Sequence, residues 1–274
     1  MAFHTGFELE VTDRMKIAAT KGFFFDLDGV LSVGKEKPRY LGGREVLNKI
    51  KSQGKRSFIL TNDSTHTRHE IHQNLAALGF TFELEEILTS SFLTANYLTQ
   101  KYGKASFFLI GENGLKRELE AAGHQERQQS PQVVVVGLDR GLTYEKLNDA
   151  LRSLRGGAQL VGSYGGAVYM NDHGPALSAG PIIKALEYGS SKKAVMIGKP
   201  SPRMFRLALR LAHEKPSNAV MIGDQMETDL LGAHRAGVYT VLVLTGVESR
   251  ETISSSKIKP DLVIQTVDDL LTYL

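Results

Sequence analysis

Carboxylates, a lysine and small hydroxyl and amide residues recur in four short segments of this sequence: Asp26-Leu27-Asp28-Gly29-Val30, Thr61-Asn62-Asp63-Ser64, Gly198-Lys199-Pro200, and Gly223-Asp224 with Asp229 shortly beyond. Their chemistries are complementary. Asp26, Asp28 and Asp224, if they converge on one point, repel one another unless a cation sits among them. Oxygen-only ligands suit a hard ion, and Mg2+ best fits a site that also holds a phosphate. Lys199, Thr61 and Asn62 are donors suited to phosphoryl oxygens. An aspartate beside Mg2+ can attack phosphorus and form an aspartyl-phosphate. A second carboxyl two residues on can protonate the leaving oxygen, then deprotonate the water that hydrolyses the intermediate. Gly29 permits the tight backbone approach such a turn needs. Any one of these segments alone more often marks a turn, a cap or a solvated acid. Their joint occurrence, in this order and each directly after an apolar run, is what points to a site.

The elements that must position these residues follow from the hydrophobic pattern. Short β-branched or aromatic runs at 23–25, 57–60, 107–110, 133–136, 159–161, 195–197, 219–222, 239–244 and 262–264 predict strands. They are continuously apolar rather than alternating, which predicts parallel strands buried on both faces. Between them the pattern predicts helices over 43–53, 67–78, 91–102, 114–121, 144–154, 181–188, 202–213 and 226–236. In the stretch RMFRLALRLAH, Met204, Leu207, Ala208 and Leu211 form one stripe while Arg203, Arg206 and Arg210 lie off it. Ser201 followed by Pro202 is a good helix start, and Gly79, Gly123 and Gly237 are plausible stops. Strand–helix alternation predicts an α/β sheet fold with right-handed crossovers. In such a sheet ligands bind at the carboxyl ends of the strands, which is where the four segments fall. The Gly-rich segment 156–180 reads equally as a binding loop or as irregular backbone.

Composition narrows the class. The 274 residues carry 33 Lys+Arg against 30 Asp+Glu, are 42% hydrophobic, and include no Cys. That length allows one large domain or two ordinary ones. The missing cysteine excludes disulfides, thiolate metal sites, iron–sulfur clusters and a cysteine nucleophile. A net charge of +3 is too small to make nucleic acid the expected partner. The segment 1–16 does not read as a signal peptide, and no apolar run approaches the ~20 residues of a bilayer span, so a soluble cytoplasmic protein with no membrane partner is expected.

At this level of detail the sequence resembles the haloacid dehalogenase (HAD)-like hydrolases, whose four motifs look like DLDGV, TNDST, GKPSP and GDQMETDLLGAHRAG here. The stretch VVVVGLDRGLTYEKL further resembles the NagD-like, p-nitrophenylphosphatase branch. The resemblance runs from about Gly22 to the C-terminus. It implies a Rossmann-like parallel sheet core over residues 1–101 and 194–274, and an inserted α/β cap domain over 102–193. It further implies Asp26 as nucleophile and Asp28 as general acid/base, with Thr61 and Asn62 binding phosphate. Lys199 would neutralise phosphate charge and orient Asp26, and Mg2+ would be held by Asp26, Asp224 and the backbone carbonyl of Asp28. Asp229 would support the metal or Lys199 from outside the ligand set. The cap would carry substrate selection, and relatives often dimerise through it.

Two departures from the family pattern matter. The second motif usually reads TNN, and Asp63 replaces the second Asn; it is expected to face away from phosphate or to pair with a base. The cap commonly carries ATN-x-D, where this sequence reads Gly162-Ser163-Tyr164-Gly165-Gly166, which puts any specific family substrate in doubt. Tyr164, Tyr169, Asp139 and Arg140 are the expected cap contacts. His66, His69 and His72 recur every three residues and are read as a solvated helix rather than a metal site. The expected activity is Mg2+-dependent hydrolysis of a small phosphomonoester. Phosphotransfer through the same intermediate, and a low-turnover regulatory protein that binds a phosphate ligand, stay open as alternatives. Dehalogenation needs neither Mg2+ nor an acid for the halide, and Asp28 with the Asp224/Asp229 pair argues against it.

Overall fold

The continuous apolar runs become parallel strands buried on both faces. A computed structural model describes residues 6–34, 37–171 and 174–274. The chain divides into two compact units, one of residues 1–60, 72–87 and 205–274, the other of 61–71 and 88–204.

A six-stranded sheet is formed by β1 (Gly22–Phe25), β4 (Arg56–Thr61), β5 (Ile87–Thr89), β13 (Ala219–Gly223), β14 (Tyr239–Val243) and β15 (Leu262–Ile264), in the order β15-β14-β13-β1-β4-β5, and all of it but Thr61, Leu88 and Thr89 belongs to the first unit. β1 is central, paired in parallel with β13 (Phe25 opposite Ile222) and with β4 (Phe25 opposite Ile59). Phe23, Phe24 and Phe25 are fully buried, as are Phe58, Ile59, Val220, Met221 and Ile222. That is why these strands read as unbroken apolar runs rather than as alternating ones. A short antiparallel pair, β2 (Ser32–Val33) and β3 (Arg39–Tyr40), follows the end of β1.

The second sheet runs β12-β9-β8-β6-β7 and is parallel throughout, from β6 (Ser106–Ile110), β7 (Gln125–Glu126), β8 (Val133–Val136), β9 (Gln159–Gly162) and β12 (Val195–Met196). A hairpin, β10 (Val168–Asn171) with β11 (Gly174–Leu177), stands beside it as a separate two-stranded sheet.

Helices α1 (Gly6–Ala19), α2 (Arg44–Ser52), α3 (Arg68–Ala77), α4 (Ser90–Tyr102), α5 (Asn113–Ala121), α6 (Tyr144–Arg155), α7 (Ala179–Ser190), α8 (Arg203–Ala212), α9 (Leu231–Ala236) and α10 (Arg250–Ser255) fill the connections. Some of their starts are chemically marked: Thr89 and Thr143 accept from Phe92 N–H and Lys146 N–H as N-caps of α4 and α6. In the second unit α6 and α7 close one core, where Ala150, Leu154, Ile183 and Leu186 pack on Phe108, Val134, Val136 and Leu160. His124 is buried within this unit, its Nδ1 accepting from Ala105 N–H while Nε2 lies 3.0 Å from Ala95 O. Among the described residues no helix is long and apolar enough to cross a membrane.

Three sequence expectations change. The helix expected over 226–236 opens as a π-turn, Met226–Leu230, before α9, with Leu230 N–H reaching Gln225 O five residues back. The Gly-rich segment, apart from Asp172 and His173 outside the described residues, supplies β9 and the hairpin and keeps irregular backbone at 163–167. The three histidines do not share one solvated helix: His66 precedes α3, and His72 Nε2 lies 2.9 Å from Phe82 O.

Candidate active site

Every chemistry-bearing segment follows a strand. In the first unit, β1 ends at Phe25 and Asp26 follows, its N–H bonded to Ile222 O so that the sheet ladder continues into the acid. β13 ends at Gly223 and Asp224 follows, and the π-turn then brings back Asp229. One carboxylate oxygen from each of Asp26, Asp224 and Asp229 lies within 4.8 Å of the others, and all three side chains are buried. Buried like charges this close are unfavourable unless a cation offsets them, and three carboxylates form the all-oxygen donor set of a hard ion such as Mg2+. The residues therefore fit a divalent metal. Asp28, half-buried, sits one turn further on and pairs in a bridge with Ser32.

The backbone around Asp224 is shaped to admit it. Gly29 has φ +82°, and a Cβ there would lie 2.4 Å from Asp224 Oδ2. A Cβ on Gly246 would lie 2.0 Å from the same oxygen, which also accepts from Val247 N–H at 2.9 Å. Thr245 Oγ1 donates to Gly29 O at 2.6 Å and ties these two turns together. The sequence reading missed Thr245, Gly246 and Val247. The signal was available, since they follow β14 in the way the other segments follow their strands.

In the second unit, Asn62 and Lys199 form one structure. Asn62 Oδ1 accepts from Lys199 N–H at 2.8 Å and Asn62 Nδ2 donates to Lys199 O at 3.1 Å. The amide thus fixes the lysine's backbone, and one Nδ2 hydrogen is left for other work. Lys199 is 2% exposed. Thr61, also buried, accepts Asp63 N–H on its hydroxyl at 3.1 Å. Ser90 Oγ donates to Asn62 O (3.0 Å) and Asp63 O (3.1 Å), bracing the segment from the start of α4. Ser90 was not singled out from sequence because the strand before it, β5, is only three residues long.

Asp63 pairs with a base. Its Oδ2 lies 2.8 Å from His66 Nδ1, and its Oδ1 accepts from Thr65 N–H (2.6 Å), Thr65 Oγ1 (2.8 Å) and His66 N–H (3.2 Å). Asp63→Ala leaves these donors without their acceptor in a buried turn and is expected to cost about 3 kcal/mol in a urea unfolding titration. A loss under about 0.5 kcal/mol would show the turn holds without it.

Of the expected cap residues, Asp139 and Arg140 follow β8, Tyr164 follows β9, and Tyr169 lies within β10. Arg140 grips Glu112 with a two-pronged ion pair, Nε to Oε1 and Nη2 to Oε2, each 2.8 Å. Burial alone would raise the Glu112 pKa, but the bonds from Arg140 outweigh it and hold that carboxyl below its ordinary value. Asp139 accepts from Lys146 Nζ at 2.6 Å and Gly141 N–H at 3.0 Å. Tyr164 and Tyr169 are half-buried.

Comparison with known proteins identifies the family. The haloacid dehalogenase-like hydrolase family matches residues 23–125, and a second family described as HAD-hydrolase-like matches 196–270. The 5'-nucleotidase YutF of Bacillus subtilis is 30% identical over 254 residues, covering 93% of this chain and 98% of that protein. An acid sugar phosphatase of Staphylococcus haemolyticus is 29% identical over 241 residues, covering 88% and 91%. The crystal structure of a 4-nitrophenylphosphatase from Thermotoga maritima has a TM-score of 0.88 at 29% identity, covering 94% of this chain and 98% of that one. The parallel sheets with flanking helices are thus the α/β fold of those enzymes, and the chain belongs to the haloacid dehalogenase-like hydrolases, as a phosphatase of their NagD-like, p-nitrophenylphosphatase branch.

Proposed function

We propose that this chain is a Mg2+-dependent phosphatase that hydrolyses a small phosphomonoester through an aspartyl-phosphate on Asp26. The observation that carries the reading is the buried cluster of Asp26, Asp224 and Asp229 at the ends of two adjacent parallel strands. Asp26 and Asp224, with Asp229 supporting them, would hold the metal, which when bound would offset carboxylate and phosphate charge. A carboxylate oxygen of Asp26 attacks phosphorus and the ester oxygen departs, taking a proton from Asp28. Asp28, now a carboxylate, removes a proton from the water that attacks phosphorus; the bond between phosphorus and Asp26 breaks, inorganic phosphate leaves, and the Asp26 carboxylate is regenerated. Lys199, placed by the Asn62 amide, binds phosphoryl oxygens as a buried cation, and the remaining Asn62 Nδ2 hydrogen and the Thr61 hydroxyl donate beside it. The inserted segment 102–193 selects the organic group and limits water during the first step. On this reading the enzyme works in the cytoplasm.

The names of the relatives, a 5'-nucleotidase, acid sugar phosphatases and 4-nitrophenylphosphatases, support a small phosphate ester as substrate. A panel of such esters assayed for inorganic phosphate tests the reading. Release that needs Mg2+ and stops with a chelator is expected. No release from any ester, or full release in the chelator, would overturn it.

A further inference from the structure

The acids of the candidate site stand on two turns of the first unit, one after β1 and one after β13, and both turns are bonded to a third segment, residues 245–248 after β14. β14 is the parallel neighbour of β13, with Leu242 opposite Gly223, so its carboxyl end opens beside theirs. The segment is anchored on both sides. Val241, Leu242 and Val243 before it are fully buried. Behind it Ser249 caps α10 in a reciprocal pair, its hydroxyl accepting from Thr252 N–H while Thr252 Oγ1 accepts from Ser249 N–H. Ile253 of α10 packs on Met226, Leu230 and Leu242. A loop fixed in this way can hold functional side chains in place from outside the reacting groups.

The segment meets each turn at a different atom. Thr245 Oγ1 donates to Gly29 O at 2.6 Å, and Gly29 N–H donates to Ser32 O at 2.8 Å. Both peptides of the residue after Asp28 are therefore fixed, one inside its own turn and the other by Thr245. Glycine is the residue where an unheld turn gives way most easily, so the second bond matters at this position. Val247 N–H reaches Asp224 Oδ2, and because the Val247 side chain is exposed this contact is made by backbone alone. Glu248 Oε1 accepts at 3.1 Å from the N–H of Met226, which opens the π-turn. The preceding amide, Gln225 N–H, goes to Asp229 Oδ2 at 3.2 Å. Two successive amides thus go to two different carboxylates, Asp229 from within the turn and Glu248 from outside it. An N–H at the start of a helical turn has no partner inside that turn, and Glu248 supplies one.

We propose that Thr245 and Glu248 are positioning residues for the reaction: Thr245 aims the Asp28 carboxyl at the leaving oxygen by fixing the Gly29 peptide, and Glu248 holds the π-turn so that Asp229 stays beside Asp26 and Asp224. This rests on the phosphatase reading above. An alkyl ester needs its leaving oxygen protonated, whereas a nitrophenyl ester, whose leaving anion is stable, needs the acid far less. Thr245→Val keeps the side-chain shape and removes the donor. It is expected to lower kcat/KM about tenfold more for glycerol 3-phosphate than for 4-nitrophenyl phosphate, while Thr245→Ser keeps the ratio within about twofold. A loosened fold alone lowers both esters alike. Glu248→Ala is expected to weaken Mg2+ binding about tenfold in titration calorimetry, which needs no turnover, while Glu248→Gln, whose amide oxygen accepts the same bond, holds it within about twofold. Equal losses on both esters in Thr245→Val, or an unchanged Mg2+ affinity in Glu248→Ala, would overturn the role of the residue concerned. An unmodified protein that releases phosphate from neither ester would instead sink the phosphatase reading, so the two failures are distinguishable.

Discussion

Asp26→Asn is expected to end phosphate release and, in the metal-free protein, to raise the thermal midpoint. The first effect is chemical: an amide is a poor nucleophile beside a carboxylate, and loss of a covalent catalyst costs on the order of 10^3-fold or more in kcat. The second is electrostatic. Asp26, Asp224 and Asp229 hold oxygens within 4.8 Å of one another and are all buried. At an effective dielectric constant of about 20, two charges at such a distance repel by about 3 kcal/mol. Asparagine has the shape of aspartate without its charge, so the variant removes Asp26 from both of its repulsive pairs. Each kcal/mol relieved raises the midpoint by about 2–4 °C in a chain of this size. Calorimetry with a chelator and a phosphate-release assay read the two effects separately. Turnover near that of the unmodified protein would remove Asp26 as nucleophile, and a lowered midpoint would show that the three acids do not repel in the folded chain.

Gly246→Ala is expected to weaken Mg2+ binding and activity together, by about 10- to 100-fold, the range seen when a group supporting a metal ligand is disturbed. The added methyl would lie 2.0 Å from Asp224 Oδ2 and 2.6 Å from Asp224 Cβ. The carboxylate would have to swing away, giving up the hydrogen bond from Val247 N–H. Titration calorimetry with Mg2+ alone gives the affinity without requiring turnover. An affinity within about twofold of the unmodified protein would mean that Asp224 is not a metal ligand, or that the loop yields without moving it.

What could be read in advance depended on whether a residue's role is local. Strands β1, β8 and β13 were legible because burial on both faces leaves no polar positions in the run. Asp26 and Asp224 were legible because the end of a parallel strand is itself a functional place. Asp63 could be expected to seek a base, since a carboxylate needs one beside a phosphate, and His66 is three residues away. The bonds from the Asn62 amide to the Lys199 backbone were not legible, because 137 residues separate the partners and no pattern in either segment announces the other. Gly246 matters through what its neighbours do in space. The three-residue β5 and the hairpin β10–β11 are too short or too mixed in polarity for periodicity to register. The π-turn before α9 shares its apolar spacing with an α-helix and differs only in where its amides reach.

The central place of β1 in its sheet has a consequence for how the protein is made. On the ribosome, Phe23-Phe24-Phe25 emerges before both of its neighbours, and β4 follows within a few dozen residues to cover one of its edges. The other edge belongs to β13, which begins only at Ala219. Roughly 200 residues must be added in the interval, and at about 5–20 residues per second the nascent chain carries that aromatic edge for about 10–40 s. An apolar strand with an open edge invites pairing with any extended chain nearby. This protein should therefore engage co-translational chaperones along that stretch of its synthesis, and truncation anywhere before β13 should yield aggregate rather than a smaller soluble domain.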